Sequence, residues 1–220
     1  MSLNPQLIPV RKDPEIIRNE VLTNLAKMFS ERGYIKKENI KRSQQEFSKI
    51  SDNDVYLIKL DKPIQPDNTN QDYTKKFNAN MIAVKIIHQK ILGIAKVPSV
   101  KDFIDEYSIC HKIFIFEAIS DKAKSSLTNI PNTEVFTEGF LMINIVEHID
   151  SPRYEVLSED EIKEVLESYI VKRKELPKIL TSDPIVSYFN LKRGQILRVI
   201  RCSEQSGFAI VYRIVAKGNT

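Results

Sequence analysis

Glycine is scarce in this chain, 6 in 220 residues, and the scarcity excludes a good deal. Neither glycine-built phosphate cradle is present, Gly-x-x-x-x-Gly-Lys-Ser/Thr or Gly-x-Gly-x-x-Gly. No Gly-x-Ser-x-Gly elbow presents a nucleophilic serine. The two cysteines, Cys110 and Cys202, make at most one disulfide and cannot form a zinc site by themselves. So low a cysteine count fits a reducing compartment. The three histidines are His88, His111 and His148, and none has a carboxylate or thiol at helical ligand spacing. Cys110 and His111 are adjacent, and neighbours on a strand point to opposite faces, so they cannot readily grip one ion. No metal, cofactor or small-molecule substrate is expected. No apolar run approaches the ~20 residues of a bilayer span. Arg11, Lys12, Asp13, Glu15, Arg18 and Glu20 deny the first thirty residues a secretory signal core. The chain reads as a soluble intracellular protein that does not engage a membrane.

What is present is ordinary globular material. Apolar residues make up 42% and charged residues 28%, enough for a packed core, and the length suits one large or two small domains. The net charge of +4 is too small to announce a nucleic-acid binder, but it is unevenly spread. Residues 147–170 hold 8 acidic and 2 basic side chains, whereas 171–220 hold 10 basic and 3 acidic. Opposite signs in neighbouring stretches suit a surface that faces different partners, and an unevenly solvated surface suits them equally.

Residues 1–10 read as a tail. Asp13-Pro14 supplies an N-cap and a first helical position, and Ile17, Val21, Leu22, Leu25, Met28 and Phe29 follow helical spacing up to a stop at Gly33. A weaker helix is expected over 37–50, a strand over 55–60 and an exposed loop over 61–76. Strands are then expected over 81–88, 112–116, 133–136 and 140–146. The helices between them start at a capping-box-like Ser99 and Asp102 and at Ser120 or Asp121. The almost wholly apolar 140–146 suggests a sheet covered on both faces. After Asp150-Ser151-Pro152 the rhythm changes. A capping box from Ser158 to Glu161 opens a helix with Ile162, Val165, Leu166, Tyr169 and Ile170, and Asp183-Pro184 opens a shorter one. Strands over 195–202 and 208–215 form a closing hairpin. The fold class expected is thus α+β or α/β: a three-layer amino-terminal domain with a mixed sheet over 11–147, then a small α+β domain over 148–220.

Catalytic chemistry finds no purchase. A nuclease of the Asp…Glu-x-Lys type needs its carboxylates on neighbouring strands to hold a divalent cation. The sole Glu-x-Lys, Glu161-Ile162-Lys163, falls inside the capped helix. No catalytic residue is assigned, and a binding or assembly protein is favoured.

The stretch from 144 to 215 is more specific. It holds Asn144, Ile145, Glu147 and His148, then Glu175-Leu176-Pro177-Lys178-Ile179, Ser182-Asp183-Pro184 and Tyr188-Phe189. It closes with Leu191-Lys192-Arg193-Gly194-Gln195, Ile200-Arg201, Ser203-Glu204, Gly207 and Tyr212-Arg213. In this order and spacing the chain resembles the fifth common subunit of eukaryotic DNA-directed RNA polymerases I, II and III. The same module is similar to the corresponding small subunit of the archaeal enzyme. A weaker resemblance at Glu31-Arg32-Gly33-Tyr34, and in the strand–helix order through 81–146, extends it to the amino-terminal part. Tyr154 stands where the family has His, Asn190 where it has Gly and Gln205 where it has Thr. These departures mark a divergent member, compatible with a homologue encoded by a large DNA virus.

The resemblance implies a non-catalytic subunit that works in transcription. Its carboxy-terminal domain would dock on the largest polymerase subunit, and its amino-terminal domain would form part of the jaw beside downstream duplex DNA. Leu176, Pro177, Ile179, Lys192, Arg193, Arg198, Arg201 and Arg213 are the candidate subunit-docking residues, although Pro177 and Gly194 serve turns equally well. Ser120, Lys122 and Lys124 are the candidate DNA-proximal residues, with Asp121 opposing a phosphate there. The expected location is nuclear in a cell, or the virion and host cytoplasm for a viral protein. The competing reading is a free-standing regulatory module that shares the carboxy-terminal fold.

Overall fold

Asp13 and Pro14 start the first helix as their residue types dictate. The Asp13 carboxylate accepts the Glu15 N–H at 3.0 Å, and Pro14 occupies a position whose N–H the helix does not need. This helix, α1 (Pro14–Glu31), buries Val21, Leu22, Leu25, Ala26, Met28 and Phe29 along one stripe. It ends where Gly33 adopts φ +75° and the Tyr34 N–H returns to the Phe29 carbonyl at 2.9 Å. The structure, a computed structural model, describes residues 13–41, 54–64, 76–94, 97–203, 205 and 207–218. The chain divides into two compact units, Met1–Ile143 and Asn144–Thr220. Asn144 belongs with the second because its side-chain oxygen accepts the Tyr188 hydroxyl at 3.1 Å.

In the first unit, β1 (Val55–Lys59), β2 (Met81–Ile91), β3 (His111–Ile119) and β4 (Thr133–Thr137) form one sheet in that order. β1 is antiparallel to β2, and the other pairs are parallel. Parallel neighbours require a crossover, supplied by α2 (Pro98–Glu106) between β2 and β3 and by α3 (Asp121–Thr128) between β3 and β4. Strand alternation then sorts the side chains. Ala83, Phe114, Phe116 and Val135 face Val100 and Phe103 of α2 and Ala123 and Leu127 of α3 in one buried cluster. Ile82, Val84, Ile86, Ile113, Ile115 and Phe136 are equally buried on the other face, which α1 covers. Three layers result.

Several elements depart from the sequence expectations. Residues 140–146 do not form a strand. The Thr137 hydroxyl accepts the Phe140 N–H and caps a one-turn helix, α4 (Glu138–Leu141), and turns follow. Phe140 stacks on Phe136 at 5.3 Å, and Leu141 is buried with its carbonyl accepting from the Asn24 amide at 2.8 Å. A short apolar run reads alike as buried strand or buried turn, and the cap decides between them. Helix α2 is not capped by Ser99. Val97 holds the cap position without a side-chain bond, and Pro98 sets the first-turn φ, leaving Ser99 inside the helix. Over the expected 37–50 helix the described residues pass from a 3-10 turn, Lys37–Asn39, into α-helical 40–41, and 42–50 lie outside the described residues. Most of the 61–76 loop and the 1–10 tail lie outside them too.

In the second unit, β5 (Arg153–Val156), β6 (Lys178–Leu180), β7 (Ile196–Ser203) and β8 (Gly207–Ala216) form a sheet of order β5-β7-β8-β6. β5 and β6 are too short to carry a periodic signal, and the sequence reading missed both. Helix α5 (Glu159–Tyr169) opens on the expected reciprocal cap. The Ser158 hydroxyl meets the Glu161 N–H, and the Glu161 carboxylate accepts the Ser158 N–H at 2.8 Å. Those bonds from Ser158 hold the Glu161 carboxyl below its ordinary pKa. The helix ends at Ile170, which takes a left-handed φ of +52° and is almost wholly exposed. Ile162 and Val165 pack with Leu157 and Ile196, and Leu166, Leu176, Tyr212 and Ile214 lean on them. A five-residue helix, α6 (Pro184–Tyr188), starts where the Asp183 carboxylate accepts the Ile185 N–H at 2.8 Å.

Candidate functional site

The closing hairpin puts its side chains on two faces. Cross-strand partners share a face, and β7 and β8 pair as Leu197 with Arg213, Val199 with Val211 and Arg201 with Ala209. All six therefore face the side opposite α5, together with Tyr154 of β5 and Ile179 of β6. Arg198, Tyr212, Ile196 and Ile214 point to the α5 side. The docking set expected from sequence is thus not one surface.

Arg198 lies on the α5 side. It pairs with Glu155 at 3.1 Å, and its guanidinium stacks 5.7 Å from the centre of the Tyr212 ring. Leu176 leans on the α5 core, and Ile179 is buried at 6% exposure. The Pro177 carbonyl accepts the Ile214 N–H at 2.8 Å. Lys192 and Arg193 are exposed in the tight turn before β7, where Gly194 has φ +90°. For Leu176, Ile179 and Pro177 the local packing accounts for the residue type.

Arg201 and Arg213 remain together. They line a groove of about 230 Å³ with Pro152, Tyr154, Ile179, Asp183, Ile185, Val199 and Val211. Both arginines are exposed, and among the described residues neither has a carboxylate within ion-pair distance. Asp183 is occupied in capping α6. Burial raises the Tyr154 pKa, Asp183 adds to the rise and Arg213 opposes it, so the phenol stays protonated at neutral pH and can donate. An apolar floor, two guanidinium groups and a phenolic donor together form a surface for recognising polar groups. Tyr154, Asp183 and Ile185 were missed as groove residues by the sequence reading because long-range pairing brings them here, Tyr154 through the β5–β7 register and the start of α6 through the β6–β8 pairing just before it.

In the first unit the Ser120 hydroxyl has committed its proton and serves as a helix cap. It accepts the Ala123 N–H at 3.2 Å to cap α3 and donates to the Leu92 carbonyl at 3.0 Å. Lys122 and Lys124 are exposed on either side of the inward-facing Ala123. Residues two apart on a helix diverge, so the two ammonium groups present a spread cation pair.

The first unit also holds a buried ionic cluster. Arg32 donates both terminal nitrogens to Glu134 at 2.9 and 2.8 Å, and His111 Nε2 lies 2.7 Å from the same carboxylate. The side chains of Arg32, His111 and Glu134 are 1%, 3% and 10% exposed. Burial alone would raise the Glu134 pKa. The Arg32 charge and the His111 hydrogen bond overcome it and hold the carboxyl well below the usual carboxylate range. His88 pairs with Glu138 at 2.6 Å. Among the described residues no group of three or more His, Cys, Asp and Glu could hold a metal ion, and no helix is long and apolar enough to cross a membrane.

Comparison with known proteins adds a family match. Residues 143–215 match the family model of RNA polymerase Rpb5, C-terminal domain. DNA-directed RNA polymerase subunit 5 of Acanthamoeba polyphaga mimivirus is 36% identical over 141 residues, covering 64% of this chain and 68% of that one. The DNA-directed RNA polymerases I, II, and III subunit RPABC1 of Caenorhabditis elegans, and that of Caenorhabditis briggsae, are each 34% identical over 128 residues. These cover 56% of this chain and 61% of the nematode protein. The matched stretch spans about two thirds of the viral relative and less of the nematode ones.

Proposed function

The chain belongs to the family of the fifth RNA polymerase subunit, and we propose that it serves as a non-catalytic subunit of a multi-subunit DNA-directed RNA polymerase. The second unit docks on the largest subunit, and the first forms part of the jaw beside downstream duplex DNA. The observation that carries this reading is the overlap between the family match, 143–215, and the second compact unit, Asn144–Thr220. The motif-bearing residues thus make one self-contained module. The jaw assignment leans on the exposed Lys122 and Lys124. The chain works in the nucleus of a eukaryotic cell or, encoded by a virus, in the virion and host cytoplasm.

Purification of the tagged full chain from its native setting tests the assignment. Stoichiometric recovery with the two largest polymerase chains is expected. Recovery alone would favour a free-standing module. Within the assembled polymerase, Lys122→Glu with Lys124→Glu is expected to weaken retention of downstream duplex DNA. The logarithmic salt slope should fall by roughly one for each phosphate that the lysines no longer neutralise. Identical retention across a salt titration would remove these lysines from the DNA path.

A further inference from the structure

We propose that the groove opposite α5 takes an extended acidic segment of a partner polypeptide, with two carboxylates set four residues apart on Arg201 and Arg213 and an apolar side chain between them on Val199 and Val211. The inference rests on the docking assignment above and deepens it by naming what the surface recognises.

The spacing follows from register. Arg213 sits opposite Leu197, so along the sheet it is four positions from Arg201, and the Val199–Val211 pair lies midway. At about 3.3–3.4 Å per residue the two guanidinium stems are roughly 13–14 Å apart along the strands. An extended peptide has the same repeat. Its residues i, i+2 and i+4 point to one side, so acid, apolar and acid at those positions meet arginine, valines and arginine. Guanidinium forks suit carboxylates in two-pronged pairing, and both forks here lack an acidic partner among the described residues. Tyr154 at the groove wall has a hydroxyl to donate.

The lining favours a peptide over a nucleic-acid strand. Val199, Val211, Ile179 and Ile185 give the floor apolar area that a phosphate backbone would not use and an apolar peptide side chain would. Two arginines against one carboxylate that already caps a helix leave the groove net positive, complementary to an acidic occupant.

The test uses the full chain and capped synthetic eleven-residue peptides in a Ser/Thr background, followed by fluorescence anisotropy. The probe peptide carries Glu, Leu and Glu at alternate positions, and a second peptide shortens the Glu spacing by one residue. Binding of the first is expected, with roughly tenfold or greater weakening for the second, for Arg201→Glu and for Arg213→Glu. Arg201→Glu with Arg213→Glu should gain affinity for the peptide carrying Lys in place of both Glu, a rescue that misfolding cannot imitate. Lys163→Gln, on α5 at the other face, should bind as the parent does. Equal affinity for both spacings, indifference to the arginine changes, or tighter binding to a DNA strand of like length with the same arginine dependence would each overturn the proposal. A chain that still co-purifies with the polymerase core while ignoring the peptides would remove the groove assignment and leave subunit identity standing.

Discussion

Equilibrium unfolding of the Glu134→Ala variant is expected to show a loss of about 3–5 kcal/mol, because the substitution takes away the carboxylate that both terminal nitrogens of the buried Arg32 guanidinium hold. The size of the effect comes from burial. An exposed pair would contribute about 0–1 kcal/mol, but Arg32 is 1% exposed and its two terminal nitrogens grip the same carboxylate. Glu134 also joins three elements, the end of α1, β3 through His111 and its own β4. Hydrogen exchange of the β3 and β4 amides reads the loss in the first unit alone. Replacing both partners, with Arg32→Met and Glu134→Leu, should recover part of it by leaving no charge unpaired. The pH dependence carries a definite sign. The folded carboxyl titrates well below its unfolded value of about 4.3, so the unfolded chain binds more protons on the acid side. Stability from this group is therefore complete above roughly pH 5 and drains away as the pH falls toward the folded pKa. Glu134→Ala should lack that slope. An acid profile shared by parent and variant would show that the cluster does not stabilise the fold.

Lys112→Met should act in the opposite direction, raising stability by about 1–3 kcal/mol. Lys112 lies on β3 at 2% exposure, and its ammonium donates to one described acceptor, the Cys110 carbonyl at 3.2 Å. A buried ammonium with donors to spare is costly. Burial accordingly drives its pKa down. Methionine keeps the length of the stem and loses the charge. Between the depressed folded pKa and the unfolded value near 10.4, the unfolded chain holds more protons than the folded one. The parent thus gains stability as the pH climbs toward that limit. The variant should show no such rise, and the two thermal midpoints should converge at alkaline pH. A lower midpoint for Lys112→Met at neutral pH would mean that the ammonium is better satisfied than its single acceptor implies.

What could be read from sequence was what local chemistry specifies. Asp13-Pro14, Ser158 with Glu161 and Asp183-Pro184 each start a helix through bonds that span two or three residues, and each does so in the structure. The run from 140 to 146 misled because apolar composition does not distinguish a strand from a capped turn, and the Thr137 hydroxyl chose the turn. The arginine set was legible as a cluster and illegible as a surface. Arg198 and Arg201 differ by an odd number of residues on one strand, so the pleat divides them between faces. Arg213 joins Arg201 only through the β7–β8 register. The Arg32–Glu134–His111 cluster left no local trace at all, since Arg32 and Glu134 stand 102 residues apart.

The two thiols differ in access. Cys110 is buried and burial raises its pKa, whereas Cys202 is exposed at the turn end of β7, beside the connection to β8. A thiol-directed dye therefore finds a single address on the native protein, next in sequence to Arg201 but turned to the opposite side of the sheet. The wild-type molecule comes with its own reporter position, close enough to sense an occupant in the groove and outside the path of its side chains. A second equivalent of dye would be taken up only when the first unit opens.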